Sequence, residues 1–274
     1  MTRTFQRRAS ELEISSLRDE HEFYASQVAR TIRTQKVVAF IAITLAIGII
    51  GSVLGRAYYA VPFGVVLAGI ALWVEDWLAL RAVEKNLPTA TVDRQASERL
   101  SSMIDWLCPA IGVEVPEYKI IQSDAFEVIV YGSRPSKPRL AVTTGVISAF
   151  DVMEFEAMIT VALVKIKERS FVLSTHANWV WLISLRGPKF LVRFAWNLAN
   201  KIPPEDIDLR SARTTRYPPA LASAYEKILL SGANTNQEPW LNRLALVCVD
   251  PGKYLSGKVD GVDCFGRIQM LQEL

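Results

Sequence analysis

The stretch VVAFIAITLAIGIIGSVLG, residues 37–55, decides the fold, because it places 19 uncharged residues between Lys36 and Arg56. As a helix rising about 1.5 Å per residue it is about 28 Å long, close to the thickness of a bilayer core. A second uncharged run, 57–74, ends before Glu75. We therefore predict a transmembrane helical hairpin with a very short turn. The alternative is a buried hairpin of a soluble protein, but such helices keep a polar stripe.

Basic residues around this hairpin predict its orientation. Arg30, Arg33 and Lys36 precede the first run, whereas the turn between the runs carries only Arg56. Under the positive-inside rule, the residues on both sides of the hairpin then lie in the cytoplasm. We expect the lipid bilayer to be one partner of the chain.

The residues before the hairpin, 1–36, predict a cytoplasmic amphipathic helix. Ser10 and Glu13 have the spacing of a capping box. Apolar residues then recur at helical spacing along one face: Leu17, Tyr24, Val28 and Ile32. We expect this face to pack on the rest of the chain, with the membrane surface or a partner helix as alternatives. His21 lies on the same face, and we interpret it as a helix-surface residue rather than a ligand.

Composition argues against several classes of function. The net charge at pH 7 is only +3, without the clustered basic face that a nucleic-acid partner requires. The three cysteines lack CxxC spacing, which indicates reduced thiols rather than a disulfide framework. The sequence has neither a glycine loop of the Walker type nor a GxSxG nucleophile elbow. We expect no nucleic-acid partner and no cofactor.

The residues after the hairpin, which itself takes 37–77, predict an α+β domain over 78–274. Helical spacing and β-type runs predict a helix, three short strands and a second helix, in this order: 94–111, 118–122, 128–131, 140–143 and 152 to about 170. An apolar segment at 171–200 follows, interrupted by Gly187 and Pro188. We predict a short hairpin there that dips into or lies along the membrane face. A fully soluble core hairpin is the alternative.

Five sequence blocks follow the membrane hairpin in a recognisable order. They are GVEVPEYKIIQSDAFEVIVYG (112–132), RLAVTTGVISAF (139–150), MEFEAMITVALVKIKERS (153–170), TTRYPPALASAYEKI (214–228) and GRIQMLQEL (266–274). In this order the blocks resemble the HtpX-like membrane zinc metallopeptidases, relatives of the CAAX prenyl endopeptidases. The resemblance implies a gluzincin-like metallopeptidase domain with a small β-sheet. It also implies a bacterial inner membrane, with the domain on the cytoplasmic side.

In that family the helix corresponding to 152–170 carries HExxH, whose histidines bind zinc and whose glutamate activates water. In this chain the two histidine positions hold Val161 and Lys165, and the glutamate position holds Ala162. The position of the third ligand holds Pro204, or Glu205 after a slip of one residue. A catalytic zinc site needs three protein ligands. The resemblance therefore predicts no metal and no catalytic residue at this site.

We therefore predict an inactive HtpX-like homologue of a zinc metalloendopeptidase, a pseudoprotease. It would bind a membrane protein or peptide as a scaffold or regulatory subunit of a membrane complex. One alternative is an enzyme that matures a specific peptide without zinc, and another is a purely structural component of such a complex. The residues predicted to bind in the cleft are Glu127, Lys165, Glu205 and Asp208. We expect Lys165 to replace the metal charge by pairing with Asp208 or Glu205, or alternatively to reach solvent.

Overall fold

The structure is a computed structural model. It describes residues 2–53, 57–85, 87, 94–184, 204–231 and 264–274. Side chains are described for 19–53, 58–85, 87, 94–180, 206–231 and 266–274.

Two long helices form the first part of the described chain, α1 (Thr2–Val53) and α2 (Ala57–Lys85). The amphipathic segment and the first apolar run therefore belong to one continuous helix. The two helices approach closely at Gly64, where an added Cβ would lie 3.3 Å from Cβ of Ile47. Both are long and apolar enough to cross a membrane, and only 6% and 17% of their most apolar windows are buried. Such exposed apolar surface is unfavourable in water, which supports the predicted pair of spans.

The second part is mostly helical, with a small mixed sheet. Its elements are α3 (Arg94–Ile111), β1 (Glu117–Ile121), β2 (Val128–Tyr131), β3 (Arg139–Thr143), α4 (Thr144–Ala149), α5 (Val152–Lys167), α6 (Ser170–Ser184), α7 (Pro204–Thr215), α8 (Pro218–Ser231) and α9 (Cys264–Gln272). The predicted helix at 94–111 and the three strands are confirmed to within a residue. The short helix α4 was not predicted. The assignment of this part as gluzincin-like remains a prediction.

The sheet has the strand order β1-β3-β2. β2 and β3 pair antiparallel, with Val130 opposite Leu140, as expected of a hairpin. β1 pairs parallel with β3, with Ile120 opposite Val142. Parallel neighbours cannot be joined by a tight turn, so β1 and β3 need a longer connection. The chain makes this connection through a loop at 122–127 and β2.

Helix α5 forms the centre of the core. Its start is fixed by a capping box in which Asp151 accepts from the Glu154 N–H and Glu154 accepts from the Asp151 N–H. It ends at Glu168, after which Arg169 adopts a positive φ of 60° and turns the chain into α6. Between these ends almost every side chain is buried, because α3, β2, α7 and α8 all pack on this helix.

The amphipathic face of α1 packs on the same core, as predicted. Val28 is only 1% exposed, and Tyr24 and Ile32 pack beside it. Helix α6 packs on α2 and β2, and its first residues are buried inside the protein rather than lying on its surface. The second half of the hairpin predicted at 171–200 lies outside the described residues.

Candidate functional site

The positions that resemble the zinc-binding motif lie on α5, in the middle of the core. Val161 and Ala162 are buried against apolar neighbours, and Lys165 is 9% exposed. Among the described residues, no group of three or more His, Cys, Asp or Glu side chains could hold a metal ion. Pro204 is the first residue of α7, but its side chain and that of Glu205 lie outside the described part. The predicted loss of the zinc site therefore stays a prediction.

Lys165 has an unusual electrostatic environment. Burial and, to a smaller extent, nearby Arg267 lower the pKa of its ammonium group, Asp208 raises it, and the net pKa is about 8. No hydrogen bond or ion pair links the Lys165 ammonium to another described side chain. Lys165 therefore does not reach solvent freely, and it lies close to Asp208 without pairing with it.

Asp208 on α7 instead pairs with Arg267 on α9. The Arg267 guanidinium donates from Nε to Oδ2 at 2.5 Å and from Nη2 to Oδ1 at 2.8 Å, and Tyr225 Oη donates to Oδ1 at 2.7 Å. All three side chains are almost fully buried. The pairing expected between Lys165 and Asp208 is thus replaced, because a guanidinium can bind both carboxylate oxygens at once.

A second buried ion cluster lies at the end of α5. Glu168 accepts two hydrogen bonds from Arg210 on α7, at 2.5 and 2.8 Å, and lies 2.9 Å from Nδ1 of His21 on α1. The Arg210 guanidinium stacks on the Tyr24 ring, 3.9 Å from its centroid. His21 is only 3% exposed, so its interpretation as a surface residue is wrong. The sequence could have indicated this burial, because a polar residue on a helix face that packs on the core needs a buried partner.

Glu127 is the last residue of the loop 122–127 that precedes β2, and hydrogen bonds from residues 143–145 hold this loop in place. The Thr143 hydroxyl donates to Ala125 O at 2.6 Å and accepts from the Glu127 N–H at 3.1 Å. The Thr144 hydroxyl likewise bonds both backbone groups of Ser123, and the Gly145 N–H donates to Ser123 O at 2.9 Å.

The predicted cleft residues are thus only partly brought together. Lys165 and Asp208 lie close to each other on facing helices, α5 and α7. Glu127 lies in the loop directly before β2, on the sheet side of α5. The side chain of Glu205 is outside the described part. Sequence reasoning misinterpreted His21 and missed Glu168, Arg210 and Arg267, all of which belong to the buried ion clusters.

Three curated proteins named as HtpX proteases match this chain. A protease HtpX homologue of Acidiphilium cryptum is 31% identical over 160 residues, which are 56% of this chain and 54% of that protein. Protease HtpX homologue 2 of Methanosarcina acetivorans is 24% identical over 127 residues, 46% of this chain and 40% of the relative. A protease HtpX homologue of Desulforapulum autotrophicum is 24% identical over 146 residues, 53% and 46% of the two chains. The chain is similar to HtpX proteases over about half of its length.

The chain spans about half the length of the curated relatives that it matches. No family model matches it, and no solved structure matches it. The prediction that the chain is not an enzyme is contradicted, because these three relatives are named as proteases. Nothing in the described part of the chain is positive evidence that it lacks protease activity.

Proposed function

We propose that this HtpX-like chain binds an extended segment of a membrane protein or peptide, as a subunit of a membrane complex. Its soluble domain would lie on the cytoplasmic side of a bacterial inner membrane. The names of its relatives support a polypeptide ligand, since a protease acts on polypeptide chains. The apolar hairpin α1–α2 supports a ligand that reaches the protein within or beside the bilayer.

The observation on which the proposal rests is the edge strand β1. Its first residues, Glu117 and Tyr118, are exposed, whereas the other edge strand, β2, is buried along its whole length. Among the described elements, only β3 packs extensively on β1. An edge strand presents unpaired N–H and C=O groups to which an extended chain can add as a further strand. The exposed side chains of Val115 and Tyr118 add apolar surface for such a chain.

A photocrosslinking experiment in cells tests this proposal. A benzoyl-phenylalanine replaces Tyr118 in the full chain, and a matched control carries it at Trp106, an aromatic residue of α3 that is 60% exposed. We expect adducts with membrane proteins or peptides at position 118 that are absent at 106. Equal labelling at the two positions, or no adduct at 118, would contradict binding at β1.

Orientation has its own test. Fusions of green fluorescent protein and of alkaline phosphatase at the end of the chain report the cytoplasmic and periplasmic sides, respectively. We expect fluorescence and no phosphatase activity, because three basic residues precede α1's apolar run. Active phosphatase would reverse the proposed orientation and leave the β1 proposal to its own experiment.

A second candidate function is maturation of a specific peptide without zinc, and buried Lys165 favours it. A pKa of about 8 leaves a part of this lysine neutral near neutral pH, as a general base requires. We then expect cleavage of a captured peptide to rise with pH around 8. Lys165→Met should abolish cleavage and keep the crosslink at 118. Cleavage that survives both Lys165→Met and Glu127→Ala would rule out chemistry at these two residues, and no cleavage by the wild type would rule this function out.

A further inference from the structure

A cavity lies where the membrane hairpin meets the soluble domain. Its volume is about 230 Å³, and its walls come from the end of α2 and from the turn that joins β2 to β3. Trp73 and Trp77 form the α2 wall, and Arg134, Lys137 and Arg139 contribute from the turn side. An aromatic wall from a membrane helix thus faces a basic wall from the soluble domain.

The basic wall carries excess positive charge. The cavity's acid, Asp76, is already paired with Lys36, whose Nζ lies 2.7 and 2.8 Å from its two oxygens. Arg139 is paired with Glu84 and Glu117. Arg134 and Lys137 are exposed, and neither forms an ion pair with a described residue. Two positive charges at the mouth of the cavity are therefore available to an anion.

The depth of the cavity relative to the bilayer is set by α2. Trp73 is the last residue but one of the uncharged run 57–74, and the charged residues begin at Glu75. Tryptophan at such a boundary lies at the level of the lipid headgroups. The cavity therefore opens where phosphate groups of a bilayer would be found.

An apolar track leads from the cavity along the membrane helix. Val66, Ile70, Trp73 and Trp77 lie on one face of α2 at spacings of four, three and four residues. All four are exposed, at 57%, 51%, 62% and 47%. This track could accommodate an acyl chain whose headgroup occupies the cavity. A soluble phosphate would use the basic wall alone and leave the track without a role.

We propose that this cavity is a binding site for an anionic phospholipid, with the phosphate at Arg134 and Lys137 and an acyl chain along the α2 track. Arg81 lies over the Trp77 ring at 4.4 Å and adds positive charge beside the site. The lipid would bridge the hairpin and the soluble domain. The site is separate from β1 binding, so either proposal can fail without the other.

Native mass spectrometry of the full chain in detergent tests this site. Phosphatidylglycerol and phosphatidylcholine are added in equal amounts to the wild type, to Arg134→Gln/Lys137→Gln, and to a control pair, Arg94→Gln/Lys119→Gln. The control removes the same charge outside the cavity lining. We expect the wild type and the control to retain phosphatidylglycerol preferentially. The cavity variant should bind it about ten to thirty times more weakly, from about 1 kcal/mol per basic residue.

Further arms distinguish the lipid from a free anion. Excess inorganic phosphate should not displace phosphatidylglycerol, and Trp73→Ala should weaken lipid binding, because the track contributes to affinity. Equal retention of phosphatidylcholine, equal binding by the cavity and control variants, or full displacement by phosphate would each overturn the proposal. Equal melting temperatures of the variants check that the exposed substitutions leave the fold intact.

Discussion

His21 and Glu168 are separated by 147 residues in the chain, yet His21 Nδ1 lies 2.9 Å from Glu168 Oε1 in a buried contact. Arg210 completes the cluster with two hydrogen bonds to the same carboxylate. The amphipathic part of α1 is thereby fixed to the end of α5 by buried charges as well as by apolar packing. Because Glu168 is fully buried, its charge needs these partners.

Arg210→Met tests how much this cluster contributes to stability. The substitution leaves the buried Glu168 carboxylate without its main cation, so we expect the free energy of unfolding to fall by about 3–5 kcal/mol. Thermal unfolding of the purified protein in detergent measures the loss. The matched control is Arg94→Met, which breaks an ion pair whose arginine is 92% exposed. We expect no measurable change there, and similar effects of both variants would contradict a special role for the buried cluster.

Lys165→Met should change how stability depends on pH. The folded-state pKa of Lys165 is about 8, below its ordinary 10.5. Between these values the unfolded chain binds more protons than the folded one, so the wild type gains stability as pH rises from 8 to 10.5. Over this pH range Lys165 adds about 3 kcal/mol to the free energy of unfolding.

In Lys165→Met this rise should disappear, and the variant should be the more stable protein at pH 7. Denaturant titrations of both proteins at pH 7 and pH 10 give the difference directly, so that other titrating groups cancel. A variant that is less stable than the wild type at pH 7 would mean that Lys165 has a stabilising partner, and Glu205 would be the first to test.

Glu154→Gln should weaken the junction between α5 and α8. Burial raises the pKa of the Glu154 carboxyl, but hydrogen bonds from Lys227, Ser223 and the Asp151 backbone outweigh this and hold it below its ordinary 4.5. The stability from the charged form is therefore present above pH 4.5 and lost as pH falls below it. We expect the variant to lose about 1–3 kcal/mol at pH 7 and to respond less to acid.

Its control is Glu156→Gln, two residues along the same helix. Burial raises the pKa of the Glu156 carboxyl, so its charged form destabilises the folded state. This variant should be at least as stable as the wild type at pH 7. Acid titrations followed by circular dichroism compare the two, and the same sign of change in both would contradict these assignments.

Gly145→Ala should disturb the loop that leads into β2. A Cβ at this position would lie 2.5 Å from Asp124 O and 2.8 Å from Ala125 O. Both are backbone atoms of the loop 122–127, which hydrogen bonds to the hydroxyls of Thr143 and Thr144 hold in place. We expect a loss of about 1–3 kcal/mol and faster limited proteolysis near residue 124. Gly69→Ala is the control, because nothing lies within 4 Å of a Cβ there. A stable, protease-resistant Gly145→Ala would show that the loop can move.

The sequence predicted those features that depend on local patterns. The long apolar helices α1 and α2, the helix at 94–111 and the packing face around Val28 follow from hydrophobic spacing, and the structure contains all of them. The parallel pairing of β1 with β3 was missed, because pairing partners are set by tertiary packing rather than by the strands' own residues. The helix α4 was missed because six residues are too few for a periodic signal.

The buried charges were the least predictable part of the site. Lys165 was expected to pair with Asp208 or Glu205, but the structure pairs Asp208 with Arg267, which is 59 positions further along the chain. Spacing along one helix identifies residues that share a face, whereas it contains no information on which distant helix packs there. The sequence allowed one weaker inference: a histidine or an aspartate on a buried face needs a hydrogen-bonding partner, whichever residue provides it.

If α1 crosses a bilayer, we expect it to make the rest of the protein sensitive to that bilayer. His21 lies 16 positions before Val37, where the apolar run begins, and therefore about 24 Å from the membrane boundary along the same continuous helix. Spans adjust to bilayer thickness by tilting. If the span tilts by about 10° and the helix moves as a rigid rod, the His21 end swings sideways by about 4 Å, more than a hydrogen bond tolerates. A thinner or thicker membrane would then act on the contact between His21 and Glu168 as a force on a lever arm.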